Sequence, residues 1–364
     1  MDVELKVKGN DLIVTLPWEA KALSTTVHGG GLKNNLRHIV FHHVPHDFNS
    51  DPVYECRNVL EDLGLRIDES SVFLTAVPVS RNYVVVKDSL DDVSCLTTVT
   101  VGLSNPVSIM HNSSSKGFST INILVVVDRD IQDNGLVELV KTVTEAKVSA
   151  VHDLDLRYGL TYAIGTSTDA IVTASLRKPP TRIYTGQITP IGSLVSRLVY
   201  KAIIKGAENW GFRQDRSMIK RLEERGIKLD DIVNTALSLF IPWSGLKMSE
   251  AYELIKSELL RCLEDVNVVS IVDAALRLDE DARIGLIPGL KPQQYISDPV
   301  NLVSDEVLAL SLALYLNGWN AVFELYRYDT KKPGILSKLP PFIDDVVASL
   351  IAGVTSRIYS RGGL

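Results

Sequence analysis

The spacing of apolar and polar positions changes halfway along the chain. Up to about Ser175, short Val-, Ile- and Thr-rich runs bounded by Gly, Pro, Asn or Asp predict strands at Asp11 to Leu16, Ser71 to Val77, Tyr83 to Val86, Leu96 to Val101 and Ile121 to Val127. Two segments in this half repeat at helical spacing: Pro52 to Leu63, closed by Gly64, and Leu136 to Leu154, through Val140, Val143, Val151 and Leu154. Beyond Pro190 helical spacing takes over, at Ser193 to Glu208, Ser217 to Arg225, Asp230 to Phe240, Ser249 to Glu264, Val266 to Glu280, Ser304 to Asn317 and Asp344 to Tyr359. Ser304 to Asn317 is apolar nearly all round and is expected to be the central, buried helix. Arg177-Lys178-Pro179-Pro180 removes backbone donors and favours extended chain, which sets a linker at about 177 to 190. The expected fold class is therefore two-domain: an N-terminal α/β domain over 1–178, a mixed sheet with helices, and a C-terminal all-α bundle over 188–364.

Composition narrows the function classes. The chain has 364 residues, 45% hydrophobic and 23% charged, enough for two domains that each bury a core. A net charge of −6 leaves no basic footprint for nucleic acid or an anionic membrane. Three widely spaced cysteines, Cys56, Cys95 and Cys262, form no CxxC or zinc pattern and suit a reducing compartment. The N-terminus alternates charged and apolar residues unlike a signal peptide, and the most apolar stretches fall short of the ~20 residues of a membrane span, so a cytoplasmic protein is expected. Small-molecule substrates fit this profile, and homo-oligomerisation stays open.

Reactive side chains are also divided. All seven histidines lie at or before His152, whereas the second half gathers Asp305-Glu306, Asp344-Asp345 and Asp329 beside Lys331 and Lys332. A histidine-free half acting on a phosphate ester would use carboxylates around a divalent metal, Mg²⁺ or similar, with lysine for phosphate. Each acid pair also suits the first turn of a helix, where carboxylates complement the macrodipole. Three clusters bracketing one helix favour the metal reading.

The segment from about Ile188 to Arg357 resembles the phosphatidylglycerophosphatase A superfamily, most closely its soluble archaeal α-ribazole-5′-phosphate phosphatases, through ITPIGSL, MIKRLEERGIKLDDIV, SDEVLAL, YDTKKPGIL and FIDDVVASLIAGVTSRI. The resemblance implies a metal-dependent phosphatase with Asp305, Glu306, Asp329, Asp344 and Asp345 at the metal. It also implies phosphate contacts from Lys332 and from Gly192 and Ser193 at a helix start. A cysteine-based route fails, because Val268 stands where the phosphate-loop arginine would follow Cys262.

In the first half, Asp128-Arg129-Asp130 after Ile123 to Val127 imitates a strand-borne aspartate nucleophile, but no partner lysine and second acid motif follow. His42, His43, His46 and Asp47 could chelate a metal, or be solvated loop residues. Glu145 and His152 share a helix face. More telling are LSTTVHGGG, TVGLSNP, KGFSTINIL, TEAK and IGTSTDAIV, which together resemble the adenosylcobinamide amidohydrolase family over residues 20 to 176. The resemblance implies hydrolysis of the amide joining the corrin ring to aminopropanol, with no cofactor established. Amide hydrolysis needs a base, an oxyanion site and a protonated leaving amine, and His28, Asn105, Thr120, Glu145, Thr166, Thr168 and Asp169 are the candidates. Glu145 or Asp169 is expected as the base acting on water, with Asn105 and the Gly29, Gly30 and Gly31 backbone as donors. No GxSxG elbow supports a serine route.

One chain carrying both segments resembles bifunctional archaeal enzymes of cobalamin salvage and synthesis, acting on a corrinoid amide and on α-ribazole 5′-phosphate or adenosylcobalamin 5′-phosphate. The alternatives are a phosphatase with a non-catalytic corrinoid-binding module, and a phosphatidylglycerophosphate phosphatase.

Overall fold

Period-two alternation builds the first half around one sheet. The computed structural model describes residues 1–109, 119–299 and 301–362, and the chain divides into two compact units, Met1–Gln214 and Asp215–Leu364. Unit 1 runs β1 (Glu4–Lys8), β2 (Asp11–Ser24), β3 (Gly31–His43), α1 (Pro52–Leu63), β4 (Ser70–Thr75), β5 (Tyr83–Leu90), β6 (Val93–Val101), β7 (Pro106–Val107) and β8 (Ile121–Ile131). It continues through α2 (Asp133–Asp153), β9 (Arg157–Tyr158), β10 (Thr161–Tyr162), β11 (Gly165–Thr166), β12 (Ala170–Arg182) and α3 (Pro190–Asn209). The eight-stranded sheet has the order β4-β3-β2-β12-β8-β6-β5, with β1 added to β2. It is mixed, as expected: β12 runs parallel to β8 and β3 to β4, and the other pairs are antiparallel.

Strand β8 shows how the alternation is used. Ile121, Ile123, Val125 and Val127 pack with α2 and α3, whereas Leu124 and Val126 belong to a second core on the opposite face with Phe41 and Phe73. Helix α1 matches its expected span, with Asp51 accepting from the Val53 and Tyr54 amides and Gly64 closing it at φ 67°.

The expected linker is not one. Strand β12 continues through Pro179 and Pro180 to Arg182, tolerating them where its register against β8 shifts between Ser175, Lys178 and Arg182. The next helix, α3, belongs to unit 1 because Leu194, Val195, Leu198, Val199, Ala202 and Ile203 are buried in the sheet's helical-side core. The division expected between 178 and 188 therefore falls at Gln214 and Asp215, after the helix that closes this core.

Unit 2 is helical: α4 (Met218–Glu224), α5 (Leu229–Leu239), α6 (Met248–Cys262), α7 (Val266–Arg283), α8 (Pro292–Ile296), α9 (Ser304–Lys331) and α10 (Pro341–Gly362). The centre is α10, not the helix starting at Ser304. Every residue from Phe342 to Ser356 is buried, and α10 packs against α5, α6, α7 and α9. Small residues allow that approach, and the hydroxyls that make α10 look polar are satisfied within the helices: Ser349 donates to the Ala309 carbonyl at 2.6 Å and Thr355 to Ile351 at 2.9 Å. Helix α9 buries one face, including Ala309, Leu312, Leu316 and Leu325, and exposes the other. It also extends further than expected, because the chain regains helix after a break at Asn317 and Gly318. Among the described residues, α9 alone is long and apolar enough to cross a membrane by length and composition.

Candidate active sites

Two short strands gather the first candidate site. Antiparallel pairing of β7 with β11 sets Thr166 against Pro106, which joins the TVGLSNP segment to GTSTD. Asn105 donates to Ser167 Oγ at 2.6 Å, and Thr120 donates to the Thr168 carbonyl at 2.9 Å. Lys116, Gly117 and Phe118 of KGFSTINIL lie outside the described residues.

Asp169 is the hub. Its carboxylate accepts from the Ile121 amide at 3.0 Å, from the Thr166 amide and hydroxyl, and from Lys147 Nζ at 2.5 Å. Lys147 is buried on the inner face of α2. Gly165 is required here: its φ is 151°, and a Cβ would overlap the Asp169 carboxylate and approach Lys147 Nζ to 2.7 Å. Asp169 lines a mostly apolar cavity of about 510 Å³, together with Thr25, Thr26, Val72, Phe73, Thr120, Asn122 and Thr168. Asn122 is itself buried, donates to the Leu74 carbonyl at 3.1 Å and accepts from Thr120 at 3.0 Å.

Asn105, Thr120, Thr166, Thr168 and Asp169 are thus brought together, whereas the other candidates stand apart. Glu145 is exposed on α2, on the face it shares with His152, whose ring stacks on Tyr162 at 4.1 Å. His28 contacts the Ile67 carbonyl through Nε2 at 3.0 Å and does not line the cavity. Gly29 presses on the β4 backbone, where a Cβ would come within 2.6 Å of the Ser70 carbonyl oxygen, and Gly30 and Gly31 complete that turn into β3. The triple glycine serves chain packing, and its neighbours Thr25 and Thr26 are what reach the cavity. Lys147, Asn122, Thr25 and Thr26 were missed from sequence. Lys147 did leave a signal, since it occupies the core-facing position between Val143 and Val151 of an amphipathic helix.

The other first-half patterns have structural partners. Asp128 accepts from the Ser94 amide at 2.9 Å, and Asp130 from Thr181 at 2.7 Å. His42 lies between Asp11 at 2.6 Å and Glu55 at 3.2 Å, and these carboxylates raise its pKa against the opposing effect of burial. Burial instead lowers that of His43, and no histidine belongs to a metal-capable group of three among the described residues.

Unit 2 carries the second candidate site. Asp305, Glu306 and Asp345 offer oxygen atoms within 4.8 Å of one another, the one group of three or more metal-capable side chains among the described residues. Burial pushes Asp305 up to about 7, and burial with the Asp344 and Asp329 charges pushes Asp345 up to about 8. Burial raises Asp344 to about 6, although Lys332 Nζ lies 2.6 Å from its Oδ2. The Asp344 Oδ1 atom is buried without a hydrogen-bond partner. Asp329 is 4.0 Å from Lys332 Nζ. Asp279, which sequence reading missed, accepts from the Phe342 and Ile343 amides at 3.0 and 2.9 Å and so holds the start of α10. Carboxylates this close and this poorly compensated suit a hard divalent cation.

The amides of Gly192 and Ser193, expected at a phosphate, are taken up in the first turn of a helix. These residues start α3 in unit 1, where the Gly192 amide donates to Thr189 Oγ1 at 3.0 Å and the Ser193 amide to the Thr189 carbonyl at 2.9 Å. A Cβ on Gly192 would overlap the Gly186 carbonyl, so the turn is closed by backbone.

Comparison with known proteins makes this chain a hydrolase acting on an amide. Residues 2–215 match the adenosylcobinamide amidohydrolase family, and the chain belongs to it. It is 36% identical over 131 residues to the uncharacterized protein MJ1330 of Methanocaldococcus jannaschii, covering 35% of this chain and 99% of that one. To the uncharacterized protein MJ1613 of the same organism it is 23% identical over 221 residues, 53% of this chain and 84% of the relative. Among solved structures, the low temperature requirement C protein from Listeria monocytogenes shares 26% identity at a TM-score of 0.36, covering 40% of this chain and 95% of that one. The PH0078 protein from Pyrococcus horikoshii OT3 shares 12% identity at a TM-score of 0.32, covering 57% and 79%.

Proposed function

We propose that the cavity of unit 1 receives the aminopropanol arm of adenosylcobinamide and that Asp169 is the base for its hydrolysis. The observation that carries this reading is the Lys147-Asp169 pair at the cavity wall. A cavity of about 510 Å³ has the size of a small-ligand pocket, which suits an amide arm with the larger macrocycle left at the mouth. Asp169 takes a proton from water as the water oxygen bonds to the amide carbonyl carbon, and the C–N bond then breaks as the amine leaves with a proton. The Lys147 ammonium offsets negative charge developing beside it, and Thr120, Thr168 and Asn122 orient the substrate. The products are a corrinoid carboxylate and aminopropanol. Incubating the chain with adenosylcobinamide and measuring aminopropanol tests the reading; an Asp169→Asn chain as active as the wild type would overturn it.

A second activity in unit 2 is supported by the acid cluster. Asp305, Glu306, Asp345 and the unpartnered Oδ1 of Asp344 would hold a divalent metal such as Mg²⁺. A bound metal would supply charge neutralisation at a phosphoryl oxygen. Lys332 positions Asp344, and Asp329 lies beside it as a further acid. The substrate in this reading is α-ribazole 5′-phosphate or adenosylcobalamin 5′-phosphate. Phosphate release from α-ribazole 5′-phosphate that continues undiminished in EDTA would exclude the metal.

A further inference from the structure

Amide hydrolysis needs a donor for the oxyanion as well as a base, and the donors expected from sequence are engaged elsewhere. Gly29, Gly30 and Gly31 serve chain packing, and Asn105 donates to Ser167 Oγ and does not line the cavity. Asn122 does line it. This residue follows Ile121, whose amide donates to Asp169, and it pairs in register with Ala170, the residue after Asp169. Its side chain is buried, 1% exposed, and held in one orientation. The Leu74 carbonyl can only accept, so the atom 3.1 Å from it is Nδ2, which leaves Oδ1 to accept from Thr120 at 3.0 Å. Nδ2 carries two hydrogens and Leu74 takes one; the other has no acceptor among the described residues. We infer that this second Asn122 N–H binds the amide oxygen of the substrate and stabilises the oxyanion formed during hydrolysis.

The chemistry of the wall favours Asn122 for this task. The buried hydroxyls beside it have no hydrogen to spare: Thr26 donates to the His28 carbonyl at 2.8 Å, and the single hydrogen of Thr120 is shared between the Thr168 carbonyl and Asn122 Oδ1. A buried N–H left without an acceptor costs free energy, so one at the wall of a mostly apolar cavity suits an acceptor brought by a ligand. When the water oxygen bonds to the carbonyl carbon, its proton passes to Asp169 and the C=O π pair moves onto oxygen. That charged oxygen is a stronger acceptor than the ground-state carbonyl, so the Asn122 bond tightens as the barrier is climbed. The pair returns to carbon as the C–N bond breaks. Leu74 and Thr120 fix the amide in advance, so no reorganisation is needed at that moment.

This inference rests on Asp169 as the base, and the test separates the two. The full chain is given adenosylcobinamide, and aminopropanol release yields kcat and kcat/KM for the wild type, Asn122→Ala, Asn122→Ser and Asp169→Asn. Assays run at a temperature where circular dichroism shows each variant folded; serine keeps a hydrogen for the Leu74 carbonyl but has no second one. Dissociation constants are measured in the Asp169→Asn background, which slows turnover. Both Asn122 variants are expected to lose kcat and kcat/KM together by roughly 10²- to 10³-fold, the range for loss of one oxyanion donor, with the dissociation constant unchanged. Wild-type kcat in either folded variant would overturn the assignment, as would a loss carried by the dissociation constant alone. If Asp169→Asn is inactive in the same experiment, such a result removes Asn122 and leaves the base in place. An Asp169→Asn chain as active as the wild type removes the reading on which the assignment rests.

Discussion

Lys147 Nζ lies 2.5 Å from Asp169 Oδ2, although one residue belongs to the inner face of α2 and the other to the turn before β12. Both side chains are close to 10% exposed, so each charge depends on the other. Asp169→Asn is expected to slow amide cleavage by roughly 10²- to 10⁴-fold, the range for loss of a general base. Lys147→Met removes the cation beside the carboxylate, which keeps its Ile121 and Thr166 donors, and should cost about 3 kcal/mol of unit 1 stability as well as activity. Aminopropanol assays on each variant, with urea melts, check both.

Gly165→Ala should damage the same site without removing a functional group. Its Cβ must displace both the Asp169 carboxylate and Lys147 Nζ. Loss of amide cleavage with an otherwise native fold is expected, and a fully active alanine variant would mean that the pair moves freely.

Cutting the chain at two places should separate α3's role from the linker expected in the sequence. A fragment of residues 1–214 retains the helix that covers the sheet and is expected to be folded and active on adenosylcobinamide. A fragment of residues 1–182 exposes the core partners of Leu194, Leu198 and Ile203 and should aggregate.

The acid cluster gives unit 2 a pH signature. Asp305, Asp345 and Asp279 have folded-state values near 7, 8 and 7, well above ordinary carboxyls, so between about pH 4 and 8 the folded state holds more protons than the unfolded. Without a cation, unit 2 should therefore lose stability as pH rises through that window. Millimolar Mg²⁺ or Mn²⁺ should raise the melting temperature more at pH 8 than at pH 6, because ligands must first lose their protons. Asp345→Asn should flatten both effects, and calorimetry at the two pH values reads them.

Asp279→Ala removes the acceptor for the Phe342 and Ile343 amides and for the Tyr295 hydroxyl. Leaving these buried donors unsatisfied should cost about 2–4 kcal/mol and weaken metal binding through the start of α10. A thermal melt with a metal titration measures both.

Some of this was legible along the chain. Period-two runs and 3.6-residue spacing are local properties of the backbone, so β5, β6, β8, α1 and α2 fall close to their expected spans. The carboxylates of SDEVLAL and FIDDVVASL open their helices as their sequence implies, and Asp305, Glu306 and Asp345 do converge. Hydropathy misjudged α9 and α10, because it weighs composition and not the small residues that let neighbours surround a helix. Proline chemistry likewise misjudged the end of β12, where a shifted register removes the need for the missing donors.

The sequence by itself determined the two fold classes, most of the elements and the chemical division between an amide-directed half and an acid-rich half, since these follow from local spacing and side-chain type. Only the tertiary structure decided that Asp169 meets Lys147 while Glu145 faces solvent, that α3 completes unit 1, and that α10 is the centre of unit 2. Those outcomes depend on which faces compete for burial, a property of elements distant in the chain and of no residue alone.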